Sequence, residues 1–221
     1  MSYNRKQFAN TTYKQIELLF KEGLADQWQD FDRWGKIWDV INTHIPLNCS
    51  MLDLGSGNSP VKAFGKHNKE YLSIDLNSKA ILQHDLDYDL LDLWQYRATV
   101  DSKDNKRASV TELYEGLPEG PDLVPWTTGL CVEVLEYIKD PVRLLNHYKQ
   151  YAKAWIITIR VGRPDHIYEY YHPLQNRWRS FNEFENFLKP LFKKVTVKPI
   201  ETTLTTCSGK MKPFAMAICE V

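Results

Sequence analysis

The segment Asp53-Leu54-Gly55-Ser56-Gly57 constrains this chain more than any other. It closes a short apolar run, Met51 to Leu54, and leads into Asn58-Ser59-Pro60, so it reads as a strand ending in a tight glycine turn. A second short strand, Tyr71-Leu72-Ser73-Ile74-Asp75, ends in an acid 18 residues beyond Gly57 (75 − 57). Glycines at a strand–helix turn let backbone approach a ligand closely, and an acid at the next strand end suits a ribose diol. A dinucleotide turn is one reading of this pattern. It would want a third glycine where Ser59 stands, and Asp53 would sit badly beside a pyrophosphate. The same acid suits a ligand with a cationic amino-acid end.

The rest of the chain alternates in a way that supports an open α/β sheet. Ile16, Leu19, Phe20 and Leu24, and then Phe31, Trp34, Trp38, Ile41 and Ile45, fall at helical spacing before Pro46. Ile81 to Asp85 repeats the strand pattern weakly, and Leu90, Leu91, Leu93 and Trp94 suggest a short helix. Residues 101–107 form a solvated charge run. Strands are expected at Leu130–Leu135 and Ala154–Ile159, with a helix between them capped by Asp140 and Pro141. Ser180 and Glu183 form a capping box for a helix that turns Phe184, Phe187, Leu188 and Leu191 inward. Strands at Val195–Val197 and Phe214–Cys219 close the chain. The rhythm implies a mostly parallel sheet covered on both faces.

Two properties limit the partners. Lys plus Arg and Asp plus Glu number 28 each, so the net charge is zero, and a sequence-independent duplex binder is disfavoured. Apolar residues make up 43% of the 221 residues, with no run near the roughly 20 that a membrane span requires, so a core is affordable and a span is not expected. The N-terminus is polar and mixed, without the apolar stretch of a secretory signal. The cysteines (Cys49, Cys131, Cys207 and Cys219) contain no C-x-x-C pair and read as reduced thiols of a cytoplasmic protein.

Taken in order, these pieces resemble the class I S-adenosylmethionine-dependent methyltransferases, of the type 11/12 kind. Asp53 to Gly57 looks like the family's nucleotide turn, and Asp75 like the acid that takes the ribose hydroxyls. Asp85 resembles the acid that accepts from the adenine amine. Cys131 to Pro141, reading C-V-E-V-L-E-Y-I-K-D-P, is similar to the fourth-strand signature E-V-L-E-H-I-x-D-P, with Tyr137 in place of histidine. The resemblance implies a Rossmann-like fold with a seven-stranded, mostly parallel sheet and an N-terminal helical cap. Its domains would be a cap or lid over 1–47 and a methyltransferase domain over 48–221. The spacing between Asp85 and Leu130 is longer than the family's, so residues 87–126 are expected to hold an insertion.

The resemblance further implies S-adenosylmethionine as cofactor, with S-adenosylhomocysteine as product. Asp53, Gly55, Ser56, Gly57, Asp75 and Asp85 would bind it. Glu133 and Glu136 stand three apart. Glu133 either bonds the turn's backbone or faces the acceptor, and Glu136 is expected in solvent. A metal site built on this pair is not expected, because Tyr137 stands where a histidine ligand would. Residues 161–178 are rich in rings and histidines. His166 and His172 are candidate general bases, with ordinary pKa values of about 6.5. The acceptor would be a small molecule with an O or N nucleophile. Alternatives are an RNA-end 2′-O-methyltransferase, a nicotinamide-dependent oxidoreductase and a non-catalytic binding subunit.

Overall fold

Seven strands form one sheet in the order β3-β2-β1-β4-β5-β7-β6 in the computed structural model. The structure describes residues 39–46, 49–57, 68–76, 80–93, 126–162, 176–200 and 214–221. The strands are β1 (Cys49–Leu54), β2 (Asn68–Asp75), β3 (Leu82–Gln83), β4 (Trp126–Val132), β5 (Ala152–Arg160), β6 (Lys194–Ile200) and β7 (Phe214–Glu220). β1 to β5 run parallel to one another, while β7 runs antiparallel between β5 and β6. The expected mostly parallel seven-stranded sheet is therefore present.

Alternation along each strand sends side chains to two separate cores. On β1, Leu52 and Leu54 join one core, with Leu72 and Ile74 of β2 and Trp155 and Ile157 of β5. That face is covered by α1 (Pro141–Tyr148), through Leu144, Leu145 and Tyr148, and by α2 (Phe181–Leu188), through Phe184 and Leu188. Cys49 and Met51 point the other way, toward Tyr71, Leu130, Ile156 and Met216. Ile41 and Ile45 pack there, and residues 39–42 are helical as the spacing predicts. The remainder of the helical cap expected over 1–47 lies outside the described residues. So do residues 94–125 of the 87–126 insertion, including the charge run at 101–107.

Local chemistry explains the helix starts. The Asp140 carboxylate accepts the Arg143 N–H at 2.9 Å, and Pro141 occupies the first helical position of α1. At α2 the Ser180 hydroxyl accepts the Glu183 N–H at 3.1 Å. The capping box is modified there, because the Glu183 carboxylate takes the N–H of Arg179, at 2.7 Å. β4 and β5 can approach as they do because Gly129 lies opposite Trp155; a Cβ on Gly129 would sit 2.4 Å from the indole ring.

Of the short helix expected at Leu90, Leu91, Leu93 and Trp94, residues 90–92 are not helical, Leu93 is in 3₁₀ conformation, and Trp94 lies outside the described residues. Residues 89–92 follow an irregular path whose polar groups are met by α1 and the 3₁₀ turn after it, Lys149–Tyr151. The Tyr148 hydroxyl accepts the Leu91 N–H at 3.0 Å, His147 Nε2 lies 2.8 Å from the Leu91 carbonyl, and the Tyr151 hydroxyl donates to Asp92 at 3.2 Å. Side chains thus replace the hydrogen bonds a helix would have supplied. Among the described residues, no helix is long and apolar enough to cross a membrane.

Candidate active site at the carboxyl edge of the sheet

Because β1 to β5 are parallel, their carboxyl ends share one edge. From β1 the order steps to β2 and β3 on one side and to β4 and β5 on the other. Ligands of open α/β sheets bind in the crevice at such a switch point.

The β1 turn is built onto the end of β2. The Ile74 carbonyl accepts the N–H groups of Gly55 at 2.7 Å and Ser56 at 3.3 Å, and the Asp75 carboxylate accepts the Gly57 N–H at 2.9 Å. Gly55 and Gly57 hold left-handed φ angles of 68° and 55°. Glycine at 55 also has a steric reason within the chain itself. A Cβ there would lie 2.3 Å from Val134 Cγ2, so the space beside Gly55 is filled by the segment after β4. Between the two glycines the Ser56 hydroxyl is buried, with no hydrogen-bond partner among the described residues.

Asp53 lies below this turn at 2% exposure, and the Tyr71 hydroxyl donates to it at 2.7 Å. Burial pushes its carboxyl up to about 7; the Tyr71 hydrogen bond works against that rise and the charge of Asp75 adds to it. Tyr71 had no polar role in the sequence pattern, where it reads simply as the first residue of a strand. Asp85 follows β3 and forms a turn of its own, accepting the Asp87 N–H at 3.0 Å. Asp87 in turn accepts the Lys139 N–H at 2.8 Å, which ties this segment to the one after β4.

The fourth-strand motif forms a second polar cluster. Glu133 is the non-glycine residue with left-handed backbone among the described residues, at φ 56°. That conformation is sparsely allowed and persists only where the surroundings fix it. Here its N–H donates to the Thr158 carbonyl at 2.9 Å, and its buried carboxylate pairs with Arg160 at 3.2 Å. Glu136 is not in solvent, contrary to expectation. It is 2% exposed, and its Oε1 accepts the Arg160 N–H at 2.8 Å. Glu136, rather than Glu133, is therefore the acid whose carboxylate holds the strand-end backbone. Burial, together with the neighbouring Glu133 carboxylate, pushes Glu136 up to about 7, while Arg160 works against the rise.

Asn176 completes the cluster. Its side-chain amide donates to the carbonyls of Leu135 and Ile138, and its N–H donates to the Glu136 carbonyl at 3.1 Å. Sequence reasoning missed Asn176 and Arg160, since each acts on groups far along the chain. His166 and His172 lie outside the described residues. The segment that holds them departs at Gly162, whose N–H donates to the Trp178 carbonyl at 3.0 Å, and returns at Asn176. Both ends are thus tied beside Glu136 and Arg160. Among the described residues, no three His, Cys, Asp or Glu side chains are grouped to hold a metal ion.

No protein-family model and no curated protein matches this sequence. Solved structures do match the fold. A chain from the complex between the Haloferax volcanii Trm112 methyltransferase activator and a methyltransferase superposes with TM-score 0.59 at 12% identity, covering 99% of each chain. Burkholderia thailandensis 1,6-didemethyltoxoflavin-N1-methyltransferase, crystallised with 1,6-didemethyltoxoflavin and S-adenosylhomocysteine, gives 0.55 at 12% identity, covering 100% of this chain and 92% of that one. The N-terminal domain of EvdMO1, in the presence of S-adenosylhomocysteine and D-fucose, gives 0.51 at 10% identity, covering 85% and 82%. With the strand order and the antiparallel β7, these likenesses show that the chain has the Rossmann-like fold of the class I methyltransferases.

Proposed function

We propose that this chain binds S-adenosylmethionine and transfers its methyl group to an O or N atom of a small molecule. The observation that carries the reading is the turn at the β1–β2 edge. There Gly55 and Gly57 hold left-handed backbone, and the Ser56 hydroxyl has no partner among the described residues. Asp53 and Asp75 close the turn from below and from the side. The donor set fits the cofactor. Asp75, whose carboxylate is fixed beside the turn by the Gly57 N–H at the end of β2, would face the ribose diol. Asp53 would face the cationic amino-acid end, Ser56 would meet a polar group of the same ligand, and Asp85 would face the adenine amine.

Bound there, the cofactor supplies an electrophilic methyl on a sulfonium, with a neutral thioether as leaving group. The chain's own task is then to orient the acceptor, exclude water and hold a proton if the nucleophile releases one. Glu133, with its backbone fixed at the end of β4, would face the acceptor. His166 or His172 would take the proton, and we expect alanine at either to lower turnover without changing cofactor affinity. If both variants turn over the true acceptor at the wild-type rate, neither is the base.

Calorimetry with S-adenosylmethionine and S-adenosylhomocysteine, with NAD as control, tests the cofactor. We expect micromolar binding of the first two only. Asp75→Ala should weaken it at least about tenfold, one charge-assisted diol contact being worth about 1.5–3 kcal/mol. An unchanged affinity would remove Asp75 from the ribose site, and binding of NAD alone would replace the methyltransferase reading with an oxidoreductase.

A further inference from the structure

Arg160 ends β5 at the same edge of the sheet, and among the described residues the hydrogen bonds to its guanidinium come from Glu133 alone. Nε and Nη2 both reach Glu133 Oε2, at 3.4 and 3.2 Å, so the carboxylate sits on the side-on edge of the fork. The backbone N–H of Arg160 is fixed separately by Glu136. A guanidinium has five N–H groups. Of the three not turned to Glu133, one on Nη1 and one on Nη2 form the end-on edge and the third lies on the far side of Nη1; none makes a hydrogen bond to any described residue. The Arg160 side chain is 24% exposed while that of Glu133 is 5% exposed, so the pair is more deeply buried at its carboxylate than at its cation. Two residues on, the space beside Gly162 is also open, since a Cβ there would meet nothing within 4 Å.

We infer that Arg160 is a recognition residue for a carboxylate on the small-molecule acceptor, an inference that rests on the methyltransferase reading above. A guanidinium anchored through one edge presents the other in a fixed plane, with two parallel N–H groups at the spacing of a carboxylate's oxygens. The neighbouring acids favour a monoanion over a phosphate dianion, because Glu133 already balances the arginine and Glu136 lies beside it. The acceptor is the expected source of the carboxylate. In the sheet β5 lies two strands from β1, roughly 10 Å at the usual strand spacing, whereas the cofactor turn is at β1 and β2.

The test uses the full chain with saturating S-adenosylhomocysteine, whose own binding is measured first by calorimetry. Sodium benzoate, isosteric benzamide and inorganic phosphate are then titrated while the arginine side-chain N–H signals are followed by NMR. Saturable benzoate binding, at least tenfold tighter than benzamide or phosphate and at least tenfold weaker in R160Q, is the expected result. Because R160Q leaves Glu133 buried without its cation, the neutral pair E133Q/R160Q is tested beside it and should lose benzoate equally. Benzoate that binds no tighter than benzamide, or equally well to both variants, overturns the inference. So does tighter phosphate. A tenfold loss of S-adenosylhomocysteine affinity in both variants would assign the carboxylate to the cofactor and overturn the acceptor assignment. If S-adenosylhomocysteine fails to bind the wild type, the methyltransferase reading falls by itself, and the benzoate titration of the ligand-free chain still reads Arg160.

Discussion

Gly55→Ala is expected to destabilise the chain by about 2–5 kcal/mol, read as a lower urea midpoint with an unchanged slope. Two effects add. Left-handed backbone at a residue with a Cβ costs about 1–2 kcal/mol, and Gly55 sits at φ 68°. The new Cβ would also lie 2.3 and 2.7 Å from the two methyl carbons of Val134, a buried residue whose displacement disturbs the core, at about 1–3 kcal/mol for overpacking. The two effects separate in a Val134→Ala background, where the clash is relieved and the backbone term remains. A double-mutant cycle should therefore show a favourable coupling of about 1–3 kcal/mol. Equal cost of Gly55→Ala in both backgrounds would mean that Val134 does not fill the space beside the turn.

That contact marks where sequence reasoning reaches its limit. The turn itself was legible, because a strand ending in Gly-x-Gly can do little else, and the acid at the end of β2 falls where the turn needs it. A mostly parallel sheet follows from the alternation of apolar runs and capped helices, and Asp140 caps α1 where the sequence places it. What closes the site was not legible. Val134 against Gly55, Tyr71 on Asp53, Arg160 between Glu133 and Glu136, and Asn176 across the 3₁₀ turn Leu135–Tyr137 all join residues far apart in the chain or on different strands. A one-dimensional pattern records a residue's type and its period, and both are blind to a partner 18 or 41 positions away. The same limit explains the misplaced Glu136. A glutamate four residues past a strand reads as solvated unless the fold presents a backbone N–H for it to hold, as Arg160 does here. It also explains the non-helical path at residues 89–92, where Tyr148 and His147 of α1 meet the Leu91 backbone.

The second large effect is a fall in stability as the pH rises from about 4 to 7, opposite to the usual gain as carboxylates ionise. Asp53 and Glu136 are both held near 7 in the folded chain, against ordinary values of 3.8 and 4.5. Between those limits the folded chain binds more protons than the unfolded one, so the unfolding free energy declines with pH. The stabilisation is fully present below about pH 4 and is lost as the pH passes through 7. At about 1.4 kcal/mol per unit, each group can contribute a few kcal/mol, less where Glu133 and Glu136 share the change. His44 moves the opposite way, its pKa lowered by burial and then by Lys198, but it is only partly buried and its effect is small. We expect the melting temperature to fall by roughly 5–10 °C between pH 5 and 7.5, on the scale of about 2–4 °C per kcal/mol for a chain of this size. Asp53→Asn with Glu136→Gln should flatten that slope. A melting temperature that rises over the same interval would mean that both acids ionise freely in the fold. The same linkage bears on the cofactor turn. A cationic ligand placed against Asp53 favours its ionised form, so binding at pH 6 should release a fraction of a proton, measurable as a buffer-dependent heat. Asp53→Asn should abolish that release, whereas a ligand that leaves Asp53 untouched would show none in either protein.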